Sequence, residues 1–129
     1  MIYLDTSVAL AHLLAEDRHP PDEIWTENLI SSRLFLYEIW RRIHSLNLSA
    51  SHGAAVSSIV SRVALIELAP PILETALEPF PRHVRTLDAL HLATITFLRK
   101  NAQPVLLATY DPRMLVAATT IGIPLAYFI

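Results

Sequence analysis

Apolar and polar positions fall into blocks along the chain, and the blocks resolve into short strands separated by helices. Ile2-Tyr3-Leu4 is an apolar strand ending at Asp5, with Thr6 or Ser7 placed to cap a helix running to about Ala15. Pro20-Pro21 opens an acidic helical segment from Asp22 to Asn28, and Ile30 to Arg33 follows as a strand. A helix from about Leu34 to Leu46 carries Phe35, Ile39, Ile43 and Leu46 on one stripe. The clearest amphipathic helix is predicted from Ser51 to Ile66. There Val56, Ile59, Val60 and Val63 keep the i, i+3, i+4, i+7 spacing, and Ser57, Ser58, Ser61 and Arg62 lie opposite.

Pro70-Pro71 ends that helix and starts a shorter one to about Leu77, and Pro79-Phe80-Pro81-Arg82 makes a turn. Thr86 caps a helix to about Lys100 with Leu87, Leu90, Thr94 and Phe97 directed inward. Val105 to Ala108 is a second buried strand, Pro112 opens a helix to Ile121 that Gly122 ends, and Leu125 to Phe128 is a last strand. Strands that alternate with helices from end to end imply an α/β fold, a mostly parallel sheet covered on both faces. No repeat, low-complexity segment or linker interrupts the pattern, and 129 residues are expected to form one domain, 1–129.

Composition narrows the picture. A hydrophobic share of 53% and a mean hydropathy of +0.40 give a well-filled core and leave apolar surface for a second copy or a partner to cover. Without cysteine there are no disulfides, zinc-thiolate sites or thiol nucleophiles. The apolar N-terminus has no basic leader, and Asp5, His12, Glu16 and Asp17 interrupt it. No run reaches the ~18 apolar residues of a membrane helix. A cytoplasmic protein with no membrane partner is expected. A net charge of -2 excludes a strongly basic nucleic-acid binder but leaves room for a local patch. Nine of the ten basic residues are arginine, the side chain suited to phosphates and carboxylates.

Chemistry concentrates where strands end. Ligands in open parallel sheets bind beyond the carboxyl ends of the strands. Two strands here run into a carboxylate, Ile2-Tyr3-Leu4-Asp5 and Val105 to Asp111. Asp88 begins a helix entered from a loop, and Glu38 lies one turn into a helix that follows a strand. Four segments can therefore bring Asp5, Glu38, Asp88 and Asp111 to one edge. Such a cluster repels itself unless it holds cations, and hard oxygen ligands suit Mg²⁺ or Mn²⁺.

Each acid also has a plainer role open to it. Asp111 before Pro112 is an N-cap pattern, Asp88 can complement a helix dipole, Asp5 can cap the first helix, and Glu38 can pair with Arg42. His91, three residues after Asp88, suits support or packing better than zinc binding, since no cysteine accompanies it. With only Gly53 and Gly122 there is no glycine-rich phosphate loop.

Four stretches together resemble the motifs of PIN-domain proteins. They are Ile-Tyr-Leu-Asp-Thr-Ser at the start, Ser32-x5-Glu38, Arg85-Thr-Leu-Asp-Ala-Leu-His-Leu-Ala93 and Leu107-Ala-Thr-Tyr-Asp-Pro-Arg-Met114. Their order and spacing resemble the toxin ribonucleases of VapC-type toxin–antitoxin pairs along the whole chain. The resemblance implies a three-layer α/β/α PIN-like fold and a metal-dependent endoribonuclease. It carries catalytic and metal-binding roles onto Asp5, Glu38, Asp88 and Asp111, puts Thr6 and Thr109 near the metal, and implies a homodimer inhibited by a cognate antitoxin.

Arg85 and Arg113, beside two of the acidic motifs, can contact RNA phosphates or serve as surface charge. The segment between Ser49 and Arg85 matches no motif and is expected to carry recognition or dimer surface. The charge is modest for such a protein. The competing readings are a phosphotransfer enzyme or receiver domain and a non-catalytic PIN-fold module that binds RNA or protein. The phosphotransfer enzyme lacks its second Asp, since Ser7 stands there, the receiver lacks a paired acid and a suitably placed lysine, and the intact acidic quartet argues against the binding module.

Overall fold

The structure, a computed structural model, describes residues 1–127. Its elements in chain order are β1 (Ile2–Leu4), α1 (Thr6–Leu13), a 3₁₀ turn (Asp22–Thr26), β2 (Leu29–Ser32), α2 (Leu34–Ser45) and α3 (Ser49–Ser61). Then follow β3 (Val63–Ile66), α4 (Pro70–Leu77), α5 (Thr86–Lys100), β4 (Leu106–Ala108) and α6 (Pro112–Thr120). Every strand pairing is parallel, and the order across the sheet is β3-β2-β1-β4. Ile2 lies opposite both Leu29 and Leu106, and Leu4 opposite Ala108.

Strand side chains alternate between two cores, as the two-residue pleat requires. Ile2 and Leu4 point toward α1, α2 and α3, where Val8, Phe35, Ile39, Ile43, Val56 and Ile59 are buried. Tyr3 and Leu107 point the other way, onto Leu92, Ile95 and Leu98 of α5 and Met114 and Ala118 of α6. The expected three-layer α/β/α architecture is therefore present. No helix among the described residues is long and apolar enough to cross a membrane.

Several local expectations are corrected. The predicted helix over Ser51–Ile66 is two elements, α3 and then β3, joined at Arg62. Val63 is buried, and Val-Ala-Leu-Ile, β-branched at both ends, finds a parallel ladder along Leu29–Ser32 that outweighs helical spacing. The acidic segment after Pro21 is a 3₁₀ turn, and Asn28 gives its carbonyl to the Ile2 N–H at 2.8 Å.

On α5 the inward face is Ala89, His91, Leu92, Ala93, Thr94, Ile95 and Leu98, while Leu87 is exposed. Leu90 instead lines a groove with Leu73, Ala76 and Leu77 of α4. Leu46, assigned to the buried stripe of α2, is exposed where the helix ends. The last strand is reduced to one parallel bridge, Leu107 with Leu125, and Phe128 lies outside the described residues.

Ile39 has no exposed surface and joins α2 to the first core. Replacing it by Ala should cost about 2–5 kcal/mol of unfolding free energy in a urea titration. A loss below the cost of a surface substitution would show that this core is loosely packed.

Candidate metal and nucleic-acid site

The sheet changes direction beside its second-to-last strand. From β1 the chain steps outward through β2 to β3, then returns to place β4 on the other side of β1. Parallel sheets open a crevice at such a switch point, at the carboxyl ends of the two strands. Asp5 follows β1 there, and its N–H bonds to Ala108 O at 3.0 Å, so the two strands reach the edge in step.

Asp5 is 7% exposed, and its Oδ2 accepts from Ser7 Oγ at 2.6 Å and Thr109 Oγ1 at 2.8 Å. It occupies the N-cap position of α1 without a side-chain capping bond, and neither Thr6 nor Ser7 caps that helix. Ser7 Oγ instead also accepts the Tyr110 N–H at 2.9 Å, tying α1 to the segment after β4. Burial pushes the Asp5 carboxyl above its ordinary value, against the lowering effects of Ser7, His91 and Thr109.

Glu38 comes in from α2. Its Oε1 accepts from Thr6 Oγ1 at 3.0 Å and from His91 Nε2 at 2.6 Å, rather than pairing with Arg42. His91 is 1% exposed, and its Nδ1 lies 2.7 Å from the Tyr3 hydroxyl. Facing a carboxylate, Nε2 carries a hydrogen. Nδ1 takes the Tyr3 O–H when the ring is neutral and donates to the phenol oxygen when it is charged. Burial pulls the imidazole down. The hydrogen bond and charge of Glu38, with Asp5 and Asp88 behind it, outweigh burial and leave its pKa raised above the ordinary histidine value.

Asp88 sits in the first turn of α5, where Arg85 Nε approaches its Oδ2 at 3.4 Å. Thr86 is the first residue of that helix rather than its cap. The same guanidinium reaches Asp111 Oδ2 at 3.6 Å through Nη2. Asp111 Oδ1 accepts the Arg113 N–H at 2.9 Å, so the capping role read from Asp-Pro is present and engages only one of the two oxygens.

All four carboxylates line a single cleft of about 710 Å³, together with Thr6, Ser7, Tyr37, Arg41, Arg42 and Arg85. Tyr3 was missed as part of this site. A hydroxyl inside an otherwise aliphatic strand, and a histidine one turn after a candidate acid, were the available signals.

The donor set consists of carboxylate and hydroxyl oxygens with no thiol, which fits a hard divalent cation such as Mg²⁺ or Mn²⁺. Among the described residues no group of three His, Asp or Glu side chains forms a ready-made cage. Asp5 and Glu38 each commit one oxygen to two protein donors, and the described bonds leave Asp5 Oδ1 and Glu38 Oε2 for a cation.

The PIN domain model matches residues 2–119, and the chain belongs to the PIN-domain family. A curated protein named Ribonuclease VapC35, from two strains of Mycobacterium tuberculosis, is 30% identical over 128 residues, 95% of this chain and 93% of that protein. Among solved structures, the Mycobacterium tuberculosis toxin VapC20, described as cleaving the sarcin-ricin loop, superposes with a TM-score of 0.65. That match covers 91% of this chain and 95% of the other at 20% identity, a likeness of fold.

Both raised groups bind protons more tightly in the folded state, so the metal-free fold loses stability as pH rises. The decline begins near the ordinary carboxyl value of 3.8 for Asp5 and adds a second component above the ordinary histidine value of 6.5. Melting curves in EDTA across this range should fall with pH, and His91→Gln should flatten the upper part. A profile for that variant parallel to wild type would remove His91 from the account.

Proposed function

We propose that this chain is a divalent-metal-dependent endoribonuclease, the toxin of a type II toxin–antitoxin pair, with Asp5, Glu38, Asp88 and Asp111 as its catalytic and metal-binding residues. The observation that carries the reading is the convergence of four acids from four separate segments on one cleft at the sheet's switch point. Membership of the PIN family and a curated relative named as a ribonuclease support it along almost the whole chain. A non-catalytic binding module would not need four acids gathered on one cleft.

Mg²⁺ or Mn²⁺, when bound, supplies positive charge to the phosphate oxygens and makes a nearby water more acidic. The protein's own residues do the rest. Ser7 and Thr109 hold Asp5 by Oδ2, and Thr6 and His91 hold Glu38 by Oε1, so both acids present their second oxygen without rotating. Arg85 offsets the charge of Asp88 and Asp111 at the mouth of the cleft. Water attacks the phosphorus in line with the leaving oxygen, the P–O bond to that oxygen breaks, the attacking water's proton passes to solvent or to a carboxylate, and the leaving oxygen takes a proton from solvent to depart as a hydroxyl.

The protein acts in the cytoplasm, where its RNA substrate lies, as a homodimer held by a cognate antitoxin. Exposed apolar side chains such as Leu73 and Leu77 offer surface for such partners.

Asp88→Asn should abolish metal-dependent RNA cleavage while leaving the far-UV spectrum unchanged. Divalent cation at a hundredfold excess over its Kd should stabilise wild type by about 2.7 kcal/mol and the variant by less. Near wild-type cutting by Asp88→Asn, or equal stabilisation of both proteins, would dissolve the site. The toxin reading has a separate test. Expression alone should arrest growth, and co-expression with the partner encoded beside it should relieve the arrest. Harmless expression of folded, nuclease-active protein would leave an endoribonuclease that is not a toxin.

A further inference from the structure

The acidic cleft does not end at its carboxylates. A second groove of about 590 Å³ adjoins it at Arg85 and Asp88, and is lined in addition by Arg82 and Arg113. Arg41 and Arg42 of α2 stand on the far wall of the first cleft. Five of the chain's nine arginines therefore lie along one continuous furrow. Arg41, Arg42, Arg82 and Arg113 take part in no ion pair among the described residues.

The acids are distributed in the opposite way. Only Asp5, Glu38, Asp88 and Asp111 line the furrow, so five arginines face four carboxylates there. The rest of the chain holds five basic residues against eight acids. A divalent cation on the carboxylates would turn the local surplus from one positive charge to three. A protein of net charge -2 thus carries a positive track where an anionic polymer would have to lie.

One aromatic belongs to this track. Tyr37 is 61% exposed, one residue before Glu38 on α2, and lines the same cleft. Arg41 lies four residues further on, on the same side of the helix. An exposed ring next to an arginine that takes part in no ion pair among the described residues is the kind of arrangement by which proteins hold unpaired nucleotides.

The geometry points to a single-stranded RNA track that enters over α2, with a base stacked on Tyr37 and phosphates on Arg41 and Arg42. It crosses the carboxylates and leaves past Arg85 between Arg82 and Arg113. This inference rests on the ribonuclease reading and adds where the substrate lies and in what form it is held. Duplex RNA fits less well, since its bases are stacked on each other and unavailable to Tyr37. The occupant is RNA rather than a protein segment because the furrow's surplus is cationic and its exposed ring is flanked by arginines.

The test uses full-length protein carrying Asp88→Asn, so that RNA is held and not cut, and a labelled single-stranded RNA of mixed sequence in Mg²⁺. Arg41→Ala and Arg113→Ala should each lower the slope of log Kd against log salt by about 0.7, and Arg62→Ala, at the opposite end of the sheet, should leave it unchanged. Tyr37→Ala and Tyr37→Leu should weaken binding about tenfold, and Tyr37→Phe should bind like the parent.

Unchanged slopes in both arginine variants overturn the track. Parental affinity in Tyr37→Leu overturns the stacking and assigns the rim to an apolar protein segment. Far-UV spectra of these surface variants check that the fold is intact. If the protein with Asp88 intact cuts RNA while these variants bind like the parent, only the track is lost. If it neither cuts nor binds RNA, the ribonuclease reading falls with it.

Discussion

A carboxylate taken out of water costs several kcal/mol unless something nearby replaces the lost solvation, and a second carboxylate close by adds repulsion to that cost. Asp5 meets both conditions, at 7% exposure and facing the charge of Glu38. The rest of the site is arranged around relieving them. Ser7 and Thr109 give Asp5 two short hydroxyl bonds, and these come from α1 and from the end of β4. The two strands at the switch point are thus joined through the side chain that needs them. Glu38 is treated the same way by Thr6 from α1 and His91 from α5. The two bonds to Glu38 also fix α1 and α5 to α2 across the crevice.

The chain of contacts reaches deeper than the cleft. Tyr3 projects from the middle of the sheet into the second core, where its ring meets that of His91 edge-on with centroids 5.9 Å apart. Its hydroxyl occupies the nitrogen that Glu38 leaves free. A histidine buried against a carboxylate has two orientations and two tautomers unless its other nitrogen is engaged, and Tyr3 removes that freedom. The price is a phenol raised far above its ordinary titration range by burial, which keeps the hydroxyl protonated and able to bond. The aliphatic strand therefore carries one polar group because the site beyond its end requires it.

Legibility in the sequence followed the range of the interactions. Asp5 and Asp111 were readable because a strand running into a carboxylate is a local pattern with a positional meaning in parallel sheets. The capping role of Asp111 was readable from Asp-Pro for the same reason. Glu38 and Asp88 were weaker signals: each starts a helix entered from a strand or a loop, and each alone looks like an ordinary helical acid, so only their joint placement with the strand-end acids marked them. What stayed hidden was set by partners distant in sequence. The buried face of α5 runs through Ala89, His91, Leu92 and Ile95, against the second core and the Glu38 side chain that the rest of the fold supplies. The strand Val63–Ile66 depended on a free edge of β2. The partner of Glu38 lay 53 residues away, while Arg42 satisfied the helical spacing that local reasoning favours.

Net charge is the clearest case of an average that conceals its distribution. A value of -2 is modest for a protein that must hold an anionic chain, and a sum over the sequence cannot say where the charges lie. Folding gathers Arg41 and Arg42 from α2, Arg82 and Arg85 from the loop before α5, and Arg113 from α6 around the same furrow. It leaves two-thirds of the acids elsewhere. Within a Debye length of about 8 Å at physiological salt, a phosphate responds to the furrow and hardly at all to acids on the other faces. Of the carboxylates that face the furrow, Asp88 and Asp111 are the ones Arg85 pairs with. The local field then favours RNA just where the sheet's switch point brings the oxygen donors together, and the acidic remainder of the surface disfavours binding in any other position.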